Sequence, residues 1–177
     1  MARTWLSIRV DLVEGRGERL WPRPGRVFAA ARGHSFAALA SAIDDAFARW
    51  DRAHLHEFRL ADGTRLTTPY GDDDELGPSL DDRRTKLSRL GQGEQFLYTF
   101  DLGDAWTHLC TVDPDRIDPE DELGIVPAVP LASFGWGDMP DQYGRRWDAD
   151  DGEGPVPEDP GLPDISGFFR IGPATGG

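Results

Sequence analysis

Residues 96–112 read Phe-Leu-Tyr-Thr-Phe-Asp-Leu-Gly-Asp-Ala-Trp-Thr-His-Leu-Cys-Thr-Val, two strand-like runs on either side of a Gly103-Asp104 pair. Gly-Asp between alternating apolar runs is the turn chemistry of a tight hairpin. With those two residues as the loop, Leu102 faces Ala105 and Asp101 faces Trp106. His108 then becomes the diagonal neighbour of Asp101, within side-chain reach. In that register Leu97, Thr99, Asp101, Trp106, His108 and Cys110 share one face of the hairpin. Phe96, Tyr98, Phe100, Thr107, Leu109 and Thr111 share the other, more apolar face. The side-chain period of a strand is two, so a slip of one residue would exchange these partners.

The rest of the chain supplies elements for this hairpin to pack against. Leu6, Ile8, Val10 and Leu12 alternate with polar residues as in a half-buried strand. A return strand is expected from about Arg26, beyond Pro22 and Pro24. Ser35 reads as an N-cap, and Phe36, Leu39, Ile43 and Phe47 recur at helical spacing, which predicts one main helix near residues 36–48. A strand through 56–60 and a tight turn at Asp62-Gly63 follow. Between 80 and 90 one short helix is expected, with Leu80, Leu87 and Leu90 facing inward. Residues 127–143 mix Pro, Gly and aromatics and are expected to wrap over the core in extended form. From Asp148 onward the chain is acidic and rich in Pro and Gly, which predicts a largely disordered tail over 148–177 behind a domain of residues 1–147. Phe168 and Phe169 hint that the end of the tail docks. Strand, strand, helix, then several strands is an α+β order with a β-grasp-like ββαβ opening and a mixed or antiparallel sheet.

Charge narrows the function classes. The 177 residues carry 32 acidic and 19 basic side chains, a formal net charge of −13. That field repels phosphate backbones and anionic membrane surfaces, so general nucleic-acid binding and membrane binding are disfavoured. A protein or a small ligand is the expected partner. The single cysteine, Cys110, cannot form an internal disulfide. With no signal-like or membrane-spanning run, that predicts a cytoplasmic protein.

Three constellations carry potential chemistry. The first is the hairpin itself, where Asp101 beside His108 would suit a general base or an oriented metal ligand, with Asp104 and Glu57 as further acid–base candidates. The same aspartates also have a structural use, since Asp accepts N–H bonds in tight turns. The second is His54 and His56, whose spacing puts both on one face of a strand. With Asp101 and His108 they would form a His/carboxylate site for a divalent metal. No other cofactor is predicted. The third is aromatic and cationic: Trp136, Tyr143 and Arg145, with Trp106 of the hairpin, are candidates to stack on or clamp a ligand. Alternatively, those aromatics anchor their own irregular segment.

The hairpin motif, aromatic-x-aromatic-Asp-x-Gly-Asp-x-Trp-x-His, resembles the signature of the Ri-plasmid ORF-three-like family. The helix of residues 35–47, Trp50 and the His54-Leu55-His56-Glu57-Phe58 block are similar to the preceding block of that family. The resemblance spans roughly residues 5–112, in order. This chain has Leu102 where the family usually has Phe, and lacks the later Cys- and Gly-rich segment. The resemblance implies a small α+β domain associated with mobile elements, and no established reaction. Three functions stay open: a binding or interaction domain, a metal-assisted hydrolase using the His/Asp cluster, and an acidic mimic of nucleic acid.

Overall fold

The computed structural model describes residues 4–70, 77–140, 142, 165 and 168. Nine strands form one mixed sheet among them: β1 (Trp5–Gly15), β2 (Glu18–Arg19), β3 (Gly25–Ala31), β4 (His56–Leu60), β5 (Arg65–Thr67), β6 (Leu80–Asp81), β7 (Gln95–Phe100), β8 (Trp106–Ile117) and β9 (Leu131–Trp136). Their order across the sheet is β6-β5-β4-β7-β8-β1-β3-β9, with β2 paired to the end of β1. The pairings are antiparallel except β5 with β6. The α+β class holds. Three strands, β1, β2 and β3, precede the helix rather than two, and β7 and β8 lie between β1 and β4 in the sheet.

The helix α1 (Phe36–Ala46) forms where the periodicity places it. Ser35 Oγ accepts the Ala38 N–H at 3.1 Å, satisfying a donor that the first turn leaves over. Phe36, Leu39, Ala40 and Ile43 are buried, as is Phe47 at the C-cap. They pack on Leu6, Ile8, Val10 and Leu12 of β1, which alternate toward the helix, and on Phe28, Phe58, Phe96, Tyr98 and Phe100. Each large side chain buried there contributes about 1.5–3 kcal/mol, and this is the main core.

The hairpin differs from the expected register by one residue. Phe100 pairs with Trp106, Tyr98 with His108 and Phe96 with Cys110. The loop is therefore five residues, Asp101 to Ala105, not the Gly103-Asp104 pair alone. Asp101 and Ala105 take left-handed φ values of 59° and 52°. Asp101 Oδ1 accepts the N–H groups of Gly103 and Asp104 at 2.9 and 3.3 Å. The physical reason for the slip is burial. In the observed register Phe96, Tyr98, Phe100, Trp106 and Cys110 all face α1 and join the core. The expected register would have put Trp106 and Cys110 on the side opposite the aromatics.

Two further expectations change. Leu87 and Leu90 are buried beside a single 3-10 turn (Leu87–Arg89), but Leu80 sits in β6 and is 39% exposed. The 131–136 segment is extended, yet it lies beside β3 as an edge strand rather than across the core. The second face of the sheet is covered in patches. The short helix α2 (Pro119–Leu123) brings Leu123 to Trp5, Ala29, Ala31 and Ile117. Ile165 and Phe168 pack on Val13, Leu97 and Leu109. Phe168 thus docks as the sequence hinted; Phe169 and the expected disorder of 148–177 otherwise lie outside the described residues.

Candidate functional site

His108 is fully buried under α1. Its Nδ1 lies 3.0 Å from the Tyr98 carbonyl, which can only accept, so the proton sits on Nδ1. Nε2 is buried and meets no hydrogen-bonding partner among the described residues. The ring stands edge-on to Phe47 at 4.8 Å and lies 5.3 Å from the Tyr98 ring. Burial pushes its pKa down to about 3. A neutral imidazole sealed from solvent is neither a general base nor a ligand beside Asp101, because the register puts Tyr98, not Asp101, across from it.

Trp106 is also sealed, with the Arg49 guanidinium 4.4 Å over its ring and Gly15 close against ring atoms. It is a core residue and offers no surface for a ligand to stack on. Cys110 is buried, and burial raises its thiol pKa well above the usual range. Trp136 anchors its own strand: its indole N–H donates to the Arg23 carbonyl at 3.2 Å, and Arg9 lies 4.6 Å over its ring. Tyr143 and Arg145 lie outside the described residues.

The remaining candidates separate into three places. Glu57 faces the second side of the sheet, where its carboxylate takes two bonds from Arg65 at 2.6 and 2.8 Å and an ion pair from Arg59 at 2.5 Å. His56 faces the core side and reaches Asp82, 2.6 Å away. Asp82 is fully buried, and its other oxygen accepts the Thr68 hydroxyl at 2.9 Å. His54 lies at the end of the sheet, 3.4 Å from Asp101 and 3.5 Å from Asp51, with its ring edge-on to Phe100. Asp104 ties that same end together through its carbonyl, which accepts the Arg16 N–H at 2.6 Å. His54 and Asp101 therefore come together as expected, while His56 and His108 do not join them. Among the described residues no group of three or more His, Cys, Asp or Glu side chains is arranged to hold a metal ion.

Two features of this region escape the sequence pattern. Beneath α1 the Tyr98 hydroxyl donates to Asp44 Oδ1 at 2.7 Å, and Arg52 lies 3.6 Å from the same carboxylate. Burial raises the Asp44 pKa to about 6, against the opposing pull of the Tyr98 bond and Arg52. Asp44 and Asp82 each have a neighbouring aspartate that is not buried, Asp45 and Asp81; the helical spacing from Ala40 and to Phe47 sets Asp44 toward the core side of α1, whereas Asp82 carries no such local signal. The second feature is apolar exposure. Trp50 is 67% exposed, Leu55 49% and Leu102 38%. They sit on two loops joined by the Asp101 N–H to Leu55 carbonyl bond of 2.9 Å and by the His54–Asp101 contact. The buried Gln142 side chain braces the first loop, accepting the N–H groups of Trp50 and Asp51 and donating to the Asp51 carbonyl.

No helix among the described residues is long and apolar enough to cross a membrane. No curated protein matches the sequence. Among solved structures, the chain resembles a protein of unknown function from Methanosarcina mazei Go1, with a TM-score of 0.60 and 21% identity over 76% of this chain and 71% of the other. That likeness is one of fold. Residues 7–133 match the family described as plasmid pRiA4b ORF-3-like protein. The matched span runs from β1 into β9 and takes in the hairpin and the His54–Phe58 block, and the chain belongs to the plasmid pRiA4b ORF-3-like family.

Proposed function

We propose that this chain is a cytoplasmic binding domain of a mobile-element-associated family, and that its binding surface is the sheet end carrying Trp50, His54, Leu55, Asp101 and Leu102. The family's plasmid origin supports the association. One observation carries the binding reading: the side chains suited to chemistry have structural partners, while three large apolar side chains stand exposed beside them. His108 is sealed in the core, Glu57 is held by two arginines, and Asp101 caps its own loop. Trp50, Leu55 and Leu102 have no comparable burial. Exposed aromatics and leucines on a braced loop, rimmed by polar groups, are the makings of a contact patch. The net charge of −13 favours a protein or a small ligand over nucleic acid as the partner.

The test compares the native chain with a Trp50→Ser/Leu55→Ser/Leu102→Ser variant of matched thermal stability. Quantitative capture from the host should retain a partner on the native chain and lose it on the variant. Metal content is measured in parallel on the native chain and on His54→Ala and His56→Ala. Capture indifferent to the three substitutions refutes the surface. Stoichiometric metal lost in both histidine variants refutes the binding reading in favour of a metal-assisted hydrolase.

A further inference from the structure

The two ends of the strand order differ in kind. One end is β6, two residues long, whose Asp81 is ion-paired with Arg83 and Arg84. A short, charged edge discourages pairing with another chain. The other end is β9, six residues paired to β3 on one side and to no strand on the other among the described residues. It contains no charged residue and no proline. The uncharged run extends from Leu123 to Gly137, between Glu122 and Asp138, in a chain where 29% of residues are charged. Ile125, Val126, Val129 and Phe134 of that run are exposed, Phe134 by 68%. The strand itself is firmly set. Ser133 forms a bulge against β3 and its hydroxyl donates to the Val27 carbonyl at 3.2 Å. The Phe134 ring lies 6.1 Å from that of Trp136, which Arg23 and Arg9 hold in place.

We propose that β9 is a dimerisation edge: two copies of this chain pair their β9 strands antiparallel about a two-fold axis and continue one sheet through both. The N–H and C=O groups that an edge strand turns away from its neighbour form a row of hydrogen-bonding sites, and another extended strand is the ligand that satisfies such a row. Charge selects which strand. A second copy carries the same net charge of −13 and is repelled wherever acidic side chains meet across a contact. An uncharged run is the surface on which two like-charged molecules can approach. A basic partner would instead be steered by acidic side chains, which this run lacks. A two-fold contact is self-complementary, the same residues meeting from both sides, so the apolar run of one copy meets the apolar run of the other. Phe134 is the large side chain that this pairing covers.

The experiment uses the full-length chain, in sedimentation velocity from micromolar to near-millimolar concentration and in amide hydrogen exchange at both ends of that range. The native chain should form a dimer that tightens as salt is raised, because screening weakens the repulsion between two acidic bodies. The amides of residues 131–136 should exchange at least tenfold more slowly in the dimer. Phe134→Glu, made at an exposed position, sets a like charge at the edge of both copies and should weaken the dimer at least tenfold. The Trp50→Ser/Leu55→Ser/Leu102→Ser variant should dimerise as the native chain does. A native chain that stays monomeric throughout the range overturns the proposal. So does a dimer that leaves exchange at 131–136 unchanged, survives Phe134→Glu or is lost in the triple variant, since it would then use another surface. If Phe134→Glu fails to fold, exchange in the native chain decides the matter by itself.

Discussion

Replacing Asp44 with asparagine should stabilise the protein at neutral pH. Asp44 is a buried residue of α1, and burial raises its carboxyl pKa to about 6 in the fold against an ordinary 3.8. The native state therefore holds this proton more tightly than the unfolded chain does. Its contribution is fully present below the unfolded pKa and is lost as pH rises through about 6. The difference corresponds to about 3 kcal/mol of ionisation cost at pH 7.5. Asparagine has the shape of the protonated acid, and its carbonyl oxygen can accept the Tyr98 hydroxyl as Asp44 Oδ1 does at 2.7 Å. Asp44→Asn should then gain up to about 3 kcal/mol at pH 7.5, a rise in Tm on the order of 5–10 °C for a chain of this size. The gain should shrink toward zero near pH 4. His108 works in the opposite sense over an overlapping range. Its pKa falls from 6.5 to about 3 on folding, so its contribution is present above 6.5 and lost as pH falls. The two partly cancel in the native chain, and the variant should lose stability on acidification more steeply than the native protein. Urea unfolding between pH 4 and 8 measures both curves. A variant less stable at pH 7.5, or a difference independent of pH, would refute the assignment of Asp44 as a costly buried anion.

Other substitutions probe separate links. Gly15→Ala drives a methyl group into the ring of the fully buried Trp106 and should cost about 1–3 kcal/mol in urea unfolding. Ser35→Ala removes the cap on α1 and should cost about 1 kcal/mol. Cys110 should react with a thiol reagent only as fast as the protein unfolds, because its thiol is buried and its pKa raised; rapid labelling of the native protein would contradict that burial. Tyr98→Phe leaves the Asp44 carboxylate without its hydroxyl donor. The loss should be about 1.5–3 kcal/mol at pH 7.5 and smaller below pH 5, where the acid is protonated.

The parts of this protein that were legible from residue order are those governed by local chemistry. Ser35 with Phe36, Leu39 and Ile43 specifies α1 because a cap and a 3.6-residue period are properties of one segment. Leu6, Ile8, Val10 and Leu12 specify a strand for the same reason, and Asp62-Gly63 specifies its turn. The hairpin of 96–112 was legible as a hairpin, and its motif as that of a family. Its register was not. A choice between two alignments one residue apart rests on which face α1 covers, and that is a contact between segments more than 50 residues apart. That single choice sent His108, Trp106 and Cys110 into the core and left Asp101 to cap a five-residue loop. The partner of His56 was likewise out of reach: Asp82 looks like a solvated acid in an acidic chain until folding removes its water. Trp50, Leu55 and Leu102 look like core residues until the sheet ends before it can bury them. Local pattern decides what each segment becomes; the competition among segments for the same buried volume decides which side chains remain available to a partner.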